Sequence, residues 1–120
     1  MERYMIVIPA RNRAFTMKCD DGDSMKLETL QKLVGGYLET VPTVLAPEWA
    51  REKGVDSILL LVDEEGRMKG LKPNPTAAGM AGVDVNLGAL VGPAIVAASR
   101  GDELIGFAKP VADTICAEWL

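Results

Sequence analysis

The apolar residues of this chain fall into short runs, and the length of those runs limits what the chain can fold into. Residues 4–8, 57–62 and 90–98 are almost entirely apolar, and each run is bounded by turn-forming or charged residues. Runs of this length predict strands that are covered on both faces rather than helices. They also fall well short of the roughly 20 residues that cross a bilayer, so we expect no membrane segment.

Two further segments alternate between apolar and polar residues, which is typical of half-buried strands. In residues 14–19, Phe15, Met17 and Cys19 share one face, and residues 37–44 follow the same pattern. Pro42 confines the second strand to a sheet edge or a bulge. Residues 63–66 predict a hairpin turn with residues 67–71 as the returning strand, and Gly92-Pro93 predicts a bulge within the strand at 90–98.

A helical spacing appears in residues 25–34, where an apolar stripe precedes two glycines. The stripe consists of Leu27, Leu30 and Val34. We expect Asp23 or Ser24 to cap the helix, and Gly35-Gly36 to end it. A short helix is predicted over residues 47–53, opened by a proline, and a last helix over residues 110–119.

These strands occur in hairpin-like pairs rather than in a βαβ rhythm. We therefore predict an α+β fold, a mostly antiparallel sheet with two to three short helices packed on it. No linker or internal repeat divides the chain, so residues 1–120 are predicted to form one domain. Only 5% of residues are aromatic, and the core must therefore be built from aliphatic side chains.

The composition excludes several functions. The chain has no histidine, which removes the commonest general base and the commonest metal ligand. Cys19 and Cys116 match no metal or redox motif and are predicted to be buried thiols. We therefore predict no catalytic residues, no metal and no cofactor. A net charge of −4 argues against nucleic acid as a partner. The absence of a signal peptide at the start makes the cytoplasm the expected compartment.

Asn74 stands out because a proline lies on each side of it. A stiff Pro-Asn-Pro loop would present an exposed amide to a ligand at low entropic cost. The alternative is that Asn74 caps the helical turn that begins at Thr76, and we prefer this structural interpretation.

Two blocks resemble a known family. The first, residues 27–42, is similar to the pattern L-x-x-L-Q-x-x-V-G-G-Y-[IL]-E, and the second, residues 58–74, is similar to an apolar strand followed by [ND]-E-E-G and G-L-x-x-N. Residues 90–96 resemble the closing strand of the same family, which is domain of unknown function 3846, carried by phages, conjugative elements and Firmicutes. The resemblance implies this fold and a mobile-element setting, but no activity. Its recurring polar positions, which backbone geometry alone does not explain, are our candidate site residues: Gln31, Tyr37, Glu39 and Asn74.

Two functions therefore stay open. The first is a non-enzymatic accessory protein of a phage or mobile element that binds another protein or a second copy of itself. The alternative is a small-molecule-binding or sequestering protein, with Tyr37, Glu39 and Asn74 lining a pocket. An enzyme that works through carboxylates or Tyr37 is less favoured, because the sequence offers no nucleophile–base pair. A nucleic-acid mimic would need a denser acidic face than this chain carries.

Overall fold

The computed structural model describes residues 2–50, 52, 54–83 and 90–120. The described residues form seven strands, three α-helices and one short 3₁₀ turn at Pro47–Ala50. The elements follow one another as β1 (Arg3–Ile8), β2 (Phe15–Lys18), α1 (Leu27–Val34), β3 (Leu38–Pro42), β4 (Ser57–Asp63), α2 (Pro75–Ala81), β5 (Ala94–Arg100), β6 (Glu103–Ile105), β7 (Phe107–Ala108) and α3 (Lys109–Trp119).

The strands form one antiparallel sheet in the order β2-β1-β5-β4-β3. The short strand β6 pairs with the end of β5, and the short strand β7 pairs with the start of β1. They lie where β1 and β5 are no longer paired with each other. Every pairing between named strands is antiparallel, which confirms the predicted α+β class. β3 and β2 are the edge strands of the described sheet, and the prediction that Pro42 belongs to an edge strand is confirmed.

Each face of the sheet is covered by helices, and this explains why the strands carry apolar residues at successive positions. On one face, α2, α3 and the 3₁₀ turn pack over a cluster that includes Ile6, Leu60 and Val96. On the other face, α1 packs over a smaller cluster that includes Met5, Leu61 and Ile95. Fully burying an aliphatic side chain of this size stabilises a fold by about 1.5–3 kcal/mol.

The start of α1 differs from the prediction. The helix begins at Leu27, and its first-turn amide groups are not capped by Asp23 or Ser24. Instead, the Asp20 carboxylate accepts from the Lys26 N–H at 2.8 Å and from the Thr29 hydroxyl at 2.6 Å. Asp23 and Ser24 are held elsewhere, because the Asp23 carbonyl accepts from Gly106 N–H and the Ser24 hydroxyl donates to the Leu104 carbonyl.

The apolar stripe of α1 is also only partly buried. Leu30 and Val34 are 3% and 1% exposed, as predicted, but Leu27 is 60% exposed. Met25, which precedes the helix, occupies the core instead and is 4% exposed. The prediction that Leu27 is a core residue is therefore wrong.

The predicted returning strand at residues 67–71 is absent. β4 is already paired with β3 on one side and β5 on the other, so it offers no free edge to a hairpin partner. Residues 64–70 form successive turns instead, in which Lys69 N–H donates to the Glu65 carbonyl and Leu71 N–H to the Gly66 carbonyl.

Three smaller expectations also change. β5 begins at Ala94, so Gly92-Pro93 precedes the strand and is not a bulge within it. Of the predicted helix at residues 47–53, Pro47–Ala50 form the 3₁₀ turn, residue 52 is not helical, and residues 51 and 53 lie outside the described residues. Cys19 is buried, but Cys116 is only half-buried. Within the described ranges, no helix is long and apolar enough to cross a bilayer.

Candidate binding site

The edge strand β3 is positioned by the double glycine that precedes it. Gly35 ends α1 with a φ of 92°, a left-handed conformation that glycine adopts without steric cost. Its N–H donates to the Gln31 carbonyl at 2.8 Å, as the N–H of Gly36 does at 3.0 Å. The chain thereby reverses direction between the helix and the sheet, and β3 begins at Leu38 beside β4.

An ion pair between a buried aspartate and a partly exposed lysine holds this reversal against the end of β4. The Asp63 carboxylate is 1% exposed and lies 2.7 Å from Lys69 Nζ, which also donates to the Gly35 carbonyl at 3.0 Å. A Cβ at Gly36 would lie 2.7 Å from Lys69 Nζ and 2.8 Å from Asp63 Oδ1, so any other residue there would displace the pair. The two sequence blocks that resemble the family thus meet at this contact.

The environment of Asp63 favours its charged form. The hydrogen bond from Lys69 lowers the pKa of Asp63 below its usual value, and burial opposes this effect. The backbone N–H of Glu65 donates to the same carboxylate at 2.9 Å and adds to the lowering of the pKa. The same contact raises the pKa of Lys69. We therefore assign Asp63 a structural role, since both of its oxygens are engaged within the fold.

The hydrogen bonds of β3 show which of its polar groups face outward. The backbone carbonyl of Tyr37 accepts from Glu64 N–H at 2.8 Å, and Thr43 N–H donates to the Ile58 carbonyl at 3.3 Å. In an antiparallel ladder, alternate residues direct their N–H and C=O groups to the same neighbour, so residues 37, 39, 41 and 43 face β4. Leu38 and Thr40 therefore direct both backbone groups away from the sheet, and Pro42 directs its carbonyl outward.

A cleft of about 380 Å³ lies beside this edge, on the face of the sheet that α2 covers. Its apolar wall is formed by Val62, Leu90 and Val91, and the carboxylates of Glu39 and Glu64 line it as well. Arg67 and Met68 complete the lining from the turn that follows β4, and Met68 is 84% exposed. The cleft therefore combines an apolar surface with acidic groups and one arginine at an accessible position.

The four residues predicted from sequence do not converge. Glu39 lines the cleft, and Tyr37 adjoins it through its backbone bond to Glu64, with a ring that is 66% exposed. Gln31 lies on α1, which packs on the opposite face of the sheet. Of the four, only Glu39 lines the cleft, and Tyr37 is its neighbour.

Asn74 is a structural residue in this arrangement. It is 1% exposed, and its side-chain oxygen accepts from Ala77 N–H at 3.1 Å, which caps α2 as the preferred interpretation predicts. Its side-chain nitrogen donates to the carbonyls of Ile8 at 3.0 Å and Gly92 at 2.9 Å. Every polar atom of the side chain is thus used inside the protein, and no amide is presented to solvent.

Sequence reasoning missed Asp63 and Lys69, which organise the edge of the sheet. The available signal was the position of an aspartate directly after the most apolar run of the chain, since an acid at that point needs a partner. Among the residues that the structure describes, no group of three or more His, Cys, Asp or Glu side chains is arranged to hold a metal ion.

Comparison with known proteins identifies the family of the chain. No curated protein and no solved structure matches the chain. The family model for "Domain of unknown function (DUF3846)" matches residues 4–118, which include all seven strands except the first residue of β1. The chain therefore belongs to this family.

Proposed function

We propose that this chain is a non-enzymatic protein-binding module that pairs an extended segment of its partner with the free edge of β3. The observation that supports this best is the outward direction of the Leu38 and Thr40 backbone groups on an exposed edge strand. In recognition by strand addition, main-chain hydrogen bonds supply affinity and pockets for alternate side chains supply specificity. The cleft beside Glu39 is placed to act as such a pocket.

The composition of the cleft suggests which partner side chain it accepts. A long side chain can pack its stem on Val62, Leu90 and Val91 and bring a hydrogen-bond donor to the Glu39 carboxylate. Lysine, arginine and glutamine have this combination of an apolar stem and a polar end. We expect one such residue at the position of the partner strand that faces the cleft.

The setting is also part of the proposal. The resemblance of the two sequence blocks supports an accessory protein of a phage or mobile element, and the cytoplasm is the compartment that the proposal assumes. The partner is either another protein or a second copy of this chain, because an exposed strand edge can pair with an identical edge.

A backbone substitution on β3 tests the proposal. Peptides that bind the purified chain are selected from a displayed random library, and their affinities are measured for the wild type, Thr40→Pro and Thr40→Val. Proline removes the outward N–H while the bonds to β4 remain, since residue 40 does not donate inward. Valine removes the hydroxyl but keeps the N–H, so it is the matched control.

We expect Thr40→Pro to weaken binding at least tenfold and Thr40→Val to have little effect. Amide exchange provides a second readout, because the N–H groups of Leu38 and Thr40 should become protected when the peptide binds. Equal affinity of both variants, with no protection at these two amides, would rule out strand addition at β3.

A small-molecule function is the second candidate, and the dimensions of the cleft support it. Its volume of about 380 Å³ falls within the range of roughly 300–1,000 Å³ that is typical of ligand pockets. Native mass spectrometry of gently purified protein would test this function. A discrete added mass that is lost in Glu39→Gln would favour the small-molecule function, and bare protein together with a Thr40-dependent peptide would favour the first.

A further inference from the structure

A second depression lies on the opposite face of the sheet, along the flank of α1. It has a volume of about 410 Å³, and its apolar lining is supplied by Met25, Leu27, Leu30, Leu38 and Leu104. Met25 and Leu30 belong to the buried cluster beneath α1, against which Leu38 and Leu104 are partly buried. We call this depression the α1 groove.

Leu27 is the feature of the α1 groove that the fold itself does not require. It is 60% exposed, whereas Leu30, one turn later, is 3% exposed. Residues three apart lie on the same side of a helix, so Leu27 continues the apolar stripe of α1 out of the core and over the groove. An exposed leucine beside two partly buried leucines forms a continuous apolar surface rather than an isolated one.

Acidic side chains surround this apolar surface. Asp21, Asp102 and Glu103 line the α1 groove, and no basic residue does. Glu103 has a distant partner, since Arg100 lies 3.5 Å from its carboxylate. Asp21 and Asp102 are exposed and make no side-chain hydrogen bond or ion pair with any described residue. Their charges are therefore available to an occupant of the groove.

We propose that the α1 groove binds a peptide segment of another protein in which apolar side chains are flanked by lysine or arginine. Charge complementarity selects this occupant: its apolar residues cover Leu27, Leu38 and Leu104, and its cationic residues pair with Asp21 and Asp102. An acidic or neutral segment would leave both carboxylates without a partner, and an anionic nucleic acid would be repelled by them.

This surface goes beyond the proposed function, because it lies on the other face of the sheet from the cleft beside Glu39. The two sites respond to different substitutions. Thr40→Pro removes a backbone donor at the β3 edge and alters none of the side chains that line the α1 groove. Failure of strand addition at β3 and failure of the α1 groove are consequently separate results.

The experiment uses peptides selected from a displayed random library on the full chain carrying Thr40→Pro, so that ligands of the β3 edge are not selected, and the affinity of each peptide is measured at low and high salt. Binding is compared among the wild type, Leu27→Asn and the charge-reversed double variant D21K/D102K. Val44→Asn is the control for loss of an exposed apolar residue, since Val44 is 56% exposed and lines neither the α1 groove nor the cleft beside Glu39. Glu118→Lys on α3 is the control for charge reversal.

We expect the selected peptides to combine apolar residues with lysine or arginine. Both groove variants should weaken their binding about tenfold or more, as is typical when a central apolar contact or a complementary charge is lost. Added salt should weaken wild-type binding and have less effect on D21K/D102K. The two control variants should bind as the wild type does.

Three results would overturn the proposal. The first is that the selected peptides are neutral or acidic. The second is that the groove variants bind them with wild-type affinity while remaining folded by circular dichroism. The third is that the chain self-associates in sedimentation and that Leu27→Asn dissociates it, which would identify the occupant as a second copy instead of another protein.

Discussion

Asn74 joins three parts of the fold, and replacing it should lower stability through two separable effects. Its oxygen caps α2 through Ala77 N–H, and its nitrogen donates to the carbonyls of Ile8 and Gly92. Asn74→Ala removes all three hydrogen bonds, whereas Asn74→Ser retains a side-chain oxygen suited to the cap and loses both donations. The two variants therefore measure the cap and the donations independently.

The magnitude follows from the burial of the site. An N-cap contributes about 1 kcal/mol, and each of the two bonds to a carbonyl contributes about 1 kcal/mol net. Asn74→Ala should therefore cost about 3 kcal/mol and Asn74→Ser about 2 kcal/mol. For a chain of this size, a loss of 3 kcal/mol corresponds to a fall in Tm of roughly 10 °C.

Asn74→Asp adds a dependence on pH. Aspartate keeps the acceptor for Ala77 N–H, but it places an oxygen where the amide nitrogen of Asn74 donates to the carbonyls of Ile8 and Gly92. Burial beside acceptors raises the pKa of such a carboxyl in the folded state. A raised folded pKa means that the stability of this variant is highest below about pH 3.9, the usual value for aspartate, and falls as the pH increases toward the folded pKa.

Urea unfolding followed by circular dichroism measures these effects, with Thr76→Ala as the control on an exposed residue of the same helix. The control should change the free energy of unfolding by less than about 0.5 kcal/mol. If Asn74→Ser were as stable as the wild type but lost binding of the selected peptides, Asn74 would be a binding residue and the structural assignment would be wrong.

Two further predictions concern titratable groups. Lys69→Met should be less stable than the wild type at pH 7 in urea unfolding, and Lys72→Met is the control. Because the folded pKa of Asp63 is lowered, the loss of stability should shrink as the pH falls below about 3.9. A loss of stability that does not change with pH would refute the structural role of the ion pair. Burial raises the pKa of Cys19 to about 11, so its thiol should react slowly at pH 8. Mass spectrometry after iodoacetamide treatment should show that Cys116 is modified first in the folded protein and that both thiols are modified equally in urea. Faster modification of Cys19 in the folded protein would contradict its placement in the core.

Local sequence patterns predicted the elements whose cause is local. The left-handed end of α1 needs a glycine, and Gly35 stands there. The alternation in residues 14–19 predicts a strand antiparallel to the first, and the pairing of β2 with β1 confirms that strand, although Phe15 on the apolar side is 44% exposed. Pro42 predicts an edge strand or a bulge, and β3 is an edge strand.

The errors arose where a distant partner decides the outcome. Residues 67–71 have the pattern of a returning strand, but both edges of β4 are occupied by strands that lie far away in sequence. Asp23 and Ser24 do not cap α1, because Gly106 and Leu104 near the end of the chain hold them. Asp20 contacts the start of the helix instead, through the Lys26 N–H. A pattern within one segment cannot predict which of several distant segments will pair with it.

Only part of the candidate site was predicted from the sequence. A recurring polar position can serve either the fold or a partner, and the sequence does not separate the two. Asn74 proved to be part of the fold, with its amide fully bonded at 1% exposure, whereas Glu39 is exposed and lines a cleft. The distinction needed the location of each side chain, and that location depends on the whole sheet.

Pro42 also bears on how far a partner strand can extend along β3. Natural edge strands use proline to prevent unwanted pairing with other chains, because proline has no N–H to offer. Here Pro42 stands at the last position of β3, whose outward donors are then limited to Leu38 and Thr40. An edge protected only at one end discourages long, open-ended pairing but still accepts a short segment. A partner strand aligned with residues 38–41 fits this limit, and it would place its side chains next to Glu39 on one face of the sheet and next to Thr40 on the other.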